Sequence, residues 1–292
     1  MLLLQLIVNG FCMGSLYALL GIGFTVIYSS TRIFHIAYGA VIITSQYIFY
    51  LWLKHTQYGT LSAFIVALLF AAGFGITIQV LLYQPLQRRG VSLGGLMIIS
   101  LGLFYVVQNL LAILFTVRTL TLTQSFPPMI ELGPIRLSIL YLEVVAVVGI
   151  VVLLFILFLR KTEIGILLRA LADNPNLVLI TGSSPMVLFI LATAIGSAIG
   201  ALGGGFMVLD VGVRPDIGFT ILLKAAISSI VGGVGSVQGA LVAGIILGIL
   251  ESVVIWKLPA EWQGVLVFFV LLVLLLWFKE GILTKGLQQR EV

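Results

Sequence analysis

Long apolar stretches alternate with short polar connections along almost the whole chain. Leu2 to Thr31 carries no charge and is longer than the ~20 residues a membrane-spanning helix needs. Ile36–Leu53, Leu61–Leu82, Leu93–Val117, Leu137–Leu159, Pro185–Val208, Ala240–Trp256 and Trp262–Phe278 follow as further runs, the fifth interrupted by Glu143 near its start. Phe219–Val231 is apolar over only thirteen residues, too short to span alone, and it breaks at Gly232–Gly239, GGVGSVQG. Thr119–Arg136, TLTLTQSFPPMIELGPIR, is the longest stretch without helical character and belongs outside the bilayer. The pattern predicts an all-α polytopic membrane protein of about eight spans plus a short broken helix, in a single domain over residues 1–292.

One interval departs from this pattern. Residues 160–185, RKTEIGILLRALADNPNLVLITGSSP, place Arg160, Lys161, Glu163, Arg169 and Asp173 within fourteen residues, whereas the 26 residues from Ser184 to Leu209 hold no charge. Thr162 is placed to N-cap a helix beginning at Glu163, whose carboxylate suits the positive end of a helix dipole. Asn174-Pro175 reads as a second cap with proline at the first helical position, and Gly182 as a stop. Ser184-Pro185 starts the next run. Two short helices on a charged loop make a docking surface.

Composition settles the class: at 61% hydrophobic and 9% charged, this is not a soluble domain, where roughly a quarter of residues are charged. The net charge of +5 is spread over connections, so nucleic acid is not the partner it implies. Cys12 is the one cysteine and lies in an apolar run, which excludes a disulfide framework. No basic segment precedes the first apolar stretch, so a cleaved leader is not expected. With the charged loop inside, nine basic residues (Arg32, Arg88, Arg89, Arg160, Lys161, Arg169, Lys279, Lys285, Arg290) fall on inner connections and five (Lys54, Arg118, Arg136, Arg214, Lys257) on outer ones. That asymmetry puts the N-terminus outside and the C-terminus inside.

The two ends of the chain echo each other. Gly39-Ala40-Val41 corresponds to Gly239-Ala240-Leu241 at an offset of 200, and Ser29-Ser30 to Ser228-Ser229 at a slightly smaller one. Residues 1–90 and 210–290 then form two parallel repeats, an arrangement that in transporters brackets the solute path. No phosphate-binding loop, H-E-x-x-H or G-x-S-x-G motif is present. His35 and His55 lie near opposite faces, so no metal site, cofactor or catalytic residue is expected.

Gly232, Gly233 and Gly235, with Ser236, are expected to open a helix toward a cavity, and Gly39, Ser228 and Ser229 to line a solute path with them. Such a path, made of small residues, hydroxyls and backbone amides, would meet a polar solute without trapping it. Lys224 and Glu251 lie at similar depth, where an ion pair is feasible; the alternative is that each reaches the interface separately. Gln108-Asn109 reads as interhelical glue.

NGFCMGSLYALLGIGFTVIYSSTRIFHIAYGA (Asn9–Ala40), GILLRALADNPNLVLITG (Gly165–Gly182) and GFTILLKAAISSIVGGVGSVQGALVAGIILGILES (Gly218–Ser252) resemble, in the same order, three blocks of the LivH-type permeases of branched-chain amino acid ABC importers. Tyr38 stands where that family usually has histidine, and Leu177–Ile180 is bulkier than its alanine-rich run. The resemblance implies a subunit in the bacterial cytoplasmic (inner) membrane, paired with a LivM-like second permease around one translocation path. Two cytoplasmic ATPase subunits would drive it, and a periplasmic or extracellular solute-binding protein would deliver solute. The chain itself would be no enzyme. Glu163, Gly165, Arg169, Ala170, Asp173, Asn174, Pro175 and Gly182 would then form the coupling segment seated on an ATPase. Related permeases serve urea and short amides, which the sequence leaves open. A stand-alone channel or ion-coupled carrier would instead carry ionisable residues at mid-membrane and need no charged loop. A membrane enzyme would need clustered His, Asp or Cys.

Overall fold

Thirty residues without charge or proline form one helix, α1 (Leu2–Thr31), in the computed structural model, which describes residues 2–122, 129–132, 135–254, 256 and 269. The expected run Trp262–Phe278, apart from residue 269, lies outside the described residues, as do Lys257, Lys279, Lys285 and Arg290 of the charge count. After α1 come α2 (Tyr38–His55) and α3 (Gly59–Ile78), which continues through a π turn (Gln79–Tyr83) into α4 (Gln84–Arg88). Then follow α5 (Leu93–Phe115), strands β1 (Met129–Leu132) and β2 (Ile135–Ser138), and α6 (Ile139–Lys161). Two short helices, α7 (Glu163–Asp173) and α8 (Pro175–Ile180), lead to α9 (Pro185–Val211), α10 (Gly218–Gly232) and α11 (Val237–Val254).

Seven helices among the described residues are long and apolar enough to cross a membrane. α2 is an eighth long helix that falls short on hydropathy, and its position explains why. It is enclosed by α3, α9 and α5, so Ser45, Gln46 and Tyr47 are buried in protein rather than facing lipid. Gln46 Nε2 donates to the Gly204 carbonyl at 3.1 Å. The protein is a multi-pass, all-α membrane protein, with a small antiparallel strand pair among the described residues.

α1 is the axis of the bundle. Of its most apolar window 89% is buried, against 17% for α5 and 22% for α6, whose outer faces are aliphatic. Helices in lipid gain no hydrophobic driving force from packing on one another, so close approach through small residues holds them. α1 and α11 show this: a Cβ on Gly14 would lie 2.7 Å from the Ile245 Cα, and Gly244 abuts Ala18. On the α9 side, the hydroxyl of buried Tyr38 fills the slot left by Gly23 and Gly200 and donates to the Leu20 carbonyl at 2.9 Å.

The π turn has a local cause. Pro85 has no N–H for the Leu81 carbonyl and its ring crowds that turn, so the helix widens until Gln84 N–H reaches Gln79 O. α10 is longer than the thirteen-residue apolar run implied: a 3-10 turn (Pro215–Ile217) precedes it, and together they reach 18 residues, enough to count as a candidate span. The non-helical interval is not featureless either. β1 and β2 pair antiparallel, and Gln5 of α1 clamps Arg136 from both sides, Oε1 accepting its N–H at 2.9 Å and Nε2 donating to its carbonyl at 2.7 Å. Leu120 and Val213 exchange two backbone bonds of 2.9 Å, tying the same interval to the approach to α10.

Candidate functional site

At the end of the bundle opposite the hairpin, α6 turns sharply into α7. The Thr162 hydroxyl accepts the Gly165 N–H at 3.0 Å and donates to the Phe158 carbonyl at 2.8 Å, capping one helix while closing the other. Gly165 lies directly on the Phe158 carbonyl, and a Cβ there would come within 2.6 Å of the Leu159 Cα. Gly165, Leu168 and Leu171 form the buried stripe of α7. Glu163, in the first turn, Arg169 and Asp173 are exposed, and Ala170 is half-buried. Asn174 closes α7 with its N–H on the Ala170 carbonyl at 2.9 Å, Pro175 opens α8, and Gly182 ends it with φ +78°.

The surface so presented is mixed. Ile164, Ile166, Leu179 and Ile180 are exposed beside those charges, Ile180 at 82%. These aliphatic side chains follow the basic end of a spanning helix, Arg160-Lys161, so they stand where water rather than lipid would meet them. Exposed apolar patches rimmed by polar residues mark sites of contact with protein or membrane.

The residues expected along a solute path fall into three places. Ser228 and Ser229 are fully buried against α1: Ser228 packs on Gly21 and donates to the Lys224 carbonyl at 2.8 Å, and Ser229 accepts from Thr25 Oγ1 at 2.8 Å. Gly232 lies backbone-to-backbone on Gly239. Gly233 and Gly235 take φ +101° and +89° in the turn between α10 and α11, and Ser236 accepts the Gly239 N–H at 3.0 Å as the cap of α11. Gly39 is elsewhere, at the first turn of α2, where a Cβ would lie 2.6 Å from the Gly218 carbonyl at the first turn of α10. The Gly-rich turn sits beside α7: Gly235 and Val237 line a cavity of about 40 Å³ with Thr25, Ser29, Ser30, Leu159, Leu168, Arg169 and Ala172.

Lys224 Nζ lies 2.6 Å from Glu251 Oε1, donates to Tyr17 Oη at 2.7 Å and stands 4.3 Å from the centre of that ring. The cluster ties α10 to α11 and α1. Asn109 is exposed on α5, its amide bonded to the Tyr105 carbonyl one turn back at 2.8 Å, so among the described residues it bridges no second helix. No group of three or more His, Cys, Asp or Glu residues suited to a metal occurs among the described residues.

Sequence reading missed Gln5, Tyr83 and the role of Arg32. His35 is fully buried, its Nδ1 2.5 Å from Tyr83 Oη, which donates to Ser100 Oγ at 2.9 Å; Ser100 Oγ also accepts the Ala37 N–H at 2.8 Å. Only Pro85, four residues after Leu81, signals locally that this part of α3 is unusual.

A family model described as the permease component of branched-chain amino acid transport systems matches residues 6–275. The chain is 28% identical to the high-affinity branched-chain amino acid transport permease BraD of Pseudomonas aeruginosa over 96% of its length and 95% of that protein's. To LivH of Escherichia coli K12 it is 29% identical, with the same two coverages of 96% and 95%. To the probable permease LivH of Methanocaldococcus jannaschii it is 27% identical over 87% of this chain and 82% of the other. No solved structure matches it.

Proposed function

Because this chain belongs to the family of permease components of branched-chain amino acid transport systems, we propose that it is the membrane-spanning subunit of an ATP-binding-cassette importer for leucine, isoleucine and valine. The observation that carries the reading beyond the family is the α7–α8 surface, with Ile164, Ile166, Leu179 and Ile180 exposed among Glu163, Arg169 and Asp173. A permease without a phosphate loop needs an external motor, and this surface offers a seat for one. Two ATPase subunits bind at that end, which faces the cytoplasm of a bacterial inner membrane, with the N-terminus on the other side. A second permease covers part of the aliphatic outer faces, and a binding protein delivers solute at the hairpin end.

The path runs between the two permeases. Gly39 with Gly218, and the turn from Gly233 to Ser236, border it, while Ser228, Ser229 and Gly232 hold the packing seam behind. Lys224 and Glu251 stay outside it, since each already has the other as its partner. The test is uptake into proteoliposomes containing both permeases, the ATPases and the binding protein. ATP-dependent leucine uptake that unlabelled isoleucine and valine compete away supports the reading. Uptake of urea in place of leucine would move the subunit to the amide-transporting relatives, and uptake without ATPase subunits would replace the importer with a carrier.

A further inference from the structure

The last turn of any helix leaves carbonyls without intrahelical donors, and that end of the helix dipole attracts a cation. In α7 one of these carbonyls, that of Ala172, accepts from Arg32 Nη2. Arg32 is the first residue after α1, exposed, and one of two non-glycine residues among those described with positive φ, at +57°. A bulky side chain is disfavoured sterically in that conformation. Here it turns the chain out of α1 and places the guanidinium against the end of α7.

Behind Arg32 the chain is fixed. The Ile33 N–H bonds to Thr31 Oγ1 at 3.2 Å, and Ile33, His35 and Ala37 are fully buried. Through the His35–Tyr83–Ser100–Ala37 bonds this connection is bolted to the π turn below α3 and to α5, and it runs directly into α2. In front, α7 is less firmly held. Its start is fixed on α6 by Thr162 and Gly165 and its buried Leu168 and Leu171 pack on the bundle, but beside that stripe a cavity of about 40 Å³ lies between α7 and α1.

We propose that Arg32 is a positioning residue that latches the end of α7 to the α1–α2 connection, so that a displacement imposed on α7 is passed to α2, α3 and α5. The inference rests on the coupling reading of α7 and adds to it a second route into the bundle, independent of α6. The cavity gives α7 room to shift, and the latch makes the shift felt.

The test uses the full complex in nanodiscs, with Arg32→Asn and Arg32→Lys. Asparagine tolerates the left-handed backbone but cannot reach Ala172, whereas lysine keeps a cation that can. Ile166→Cys, in a Cys12→Ala background, reports cross-linking of α7 to the ATPase. Solute moved per ATP should fall about tenfold in Arg32→Asn, the size of a lost charge-assisted hydrogen bond. The cross-link should persist, and Arg32→Lys should recover most of the loss. Unchanged stoichiometry in Arg32→Asn with the cross-link intact overturns the latch. A loss seen in bilayers containing anionic lipid and absent from neutral ones also overturns it, since Arg32 would then be a headgroup anchor. Absence of the cross-link in the otherwise unchanged complex fails the coupling reading itself. Should Arg32→Asn not assemble, Arg32→Cys with Ala172→Cys joined by a short bis-maleimide decides: coupling restored on cross-linking supports the latch, and coupling still absent overturns it.

Discussion

At the scale of single residues, charge in the membrane-embedded part is held by partners rather than by water. The side chains of Lys224 and Glu251 are only 15% and 7% exposed, and the pair is completed by Tyr17. Removing one member of such a pair leaves the other uncompensated, a cost of about 3–5 kcal/mol. Lys224→Met should therefore lower the unfolding temperature of the purified protein sharply. Adding Glu251→Leu should restore much of it, because an apolar pair of similar volume has no desolvation cost to meet. Two single losses that simply add would show that the charges act independently. His35, in the connection between α1 and α2, supplies a pH prediction. Burial holds its imidazole down at about 3, below the ordinary 6.5. The unfolded chain then takes up a proton that the folded chain refuses, so this contribution is complete above pH 6.5 and is lost as pH falls from there toward 3. The slope approaches about 1.4 kcal/mol per pH unit within that window. Chemical denaturation at pH 7.5 and 5 should show the loss, and His35→Asn should remove that pH-dependent part. An equal pH response in both proteins would assign it to other groups.

At the scale of elements, glycine sets where helices can turn and touch. Gly165 permits the α6–α7 corner, so Gly165→Val should displace α7 from its seat on Phe158 while leaving the spanning helices intact. Protease sensitivity confined to residues 160–185 would report this, and an unchanged digestion pattern would argue against it. Gly233 and Gly235 hold positive φ, and a branched residue at either costs about 1–3 kcal/mol in backbone strain alone. Gly233→Leu or Gly235→Leu should therefore lower the yield of folded protein or its uptake, and normal behaviour of both would make the turn an ordinary loop. What could be read from sequence follows from range. The cap at Thr162, the proline that opens α8 at Pro175 and the stop at Gly182 are local chemistry, legible within a few residues, and they fall where expected. The Gln5–Arg136 clamp and the Arg32–Ala172 bond join residues 131 and 140 positions apart, and such pairs leave no periodic trace. α2 was legible as a run but not as an enclosed helix, because hydropathy does not distinguish a lipid-facing surface from a protein-facing one. The same blindness hid the tight seam that Ser228, Ser229 and Gly232 make with their neighbours.

At the scale of the whole molecule, the fold divides into a bundle wound on α1 and a small appendage at one end. α1 contacts α11, α9 and α10 along glycine-lined seams and packs on α6 as well, and 89% of its most apolar stretch is buried. The appendage is attached by the buried residues Gly165, Leu168, Leu171 and Val178, by its caps and by Arg32. The exposed side chains of α7 contribute little to that attachment, since exposed charges are worth about 0–1 kcal/mol each. Folding and coupling should therefore separate. Arg169→Ala with Asp173→Ala removes two exposed charges one helical turn apart and leaves the buried stripe untouched. The double variant should insert, assemble with the second permease and unfold within a few degrees of the parent. Its hydrolysis of ATP in response to loaded binding protein should nonetheless fall, because the surface offered to the motor has lost its charges while keeping its aliphatic centre. Solute-stimulated ATPase activity in proteoliposomes measures this directly, with binding of the ATPase subunits measured in parallel. Full stimulation with full binding would mean that Ile164, Ile166, Leu179 and Ile180 alone make the contact. The variant to make next would then be Ile166→Asp, which places an unpaired charge in the middle of that apolar patch.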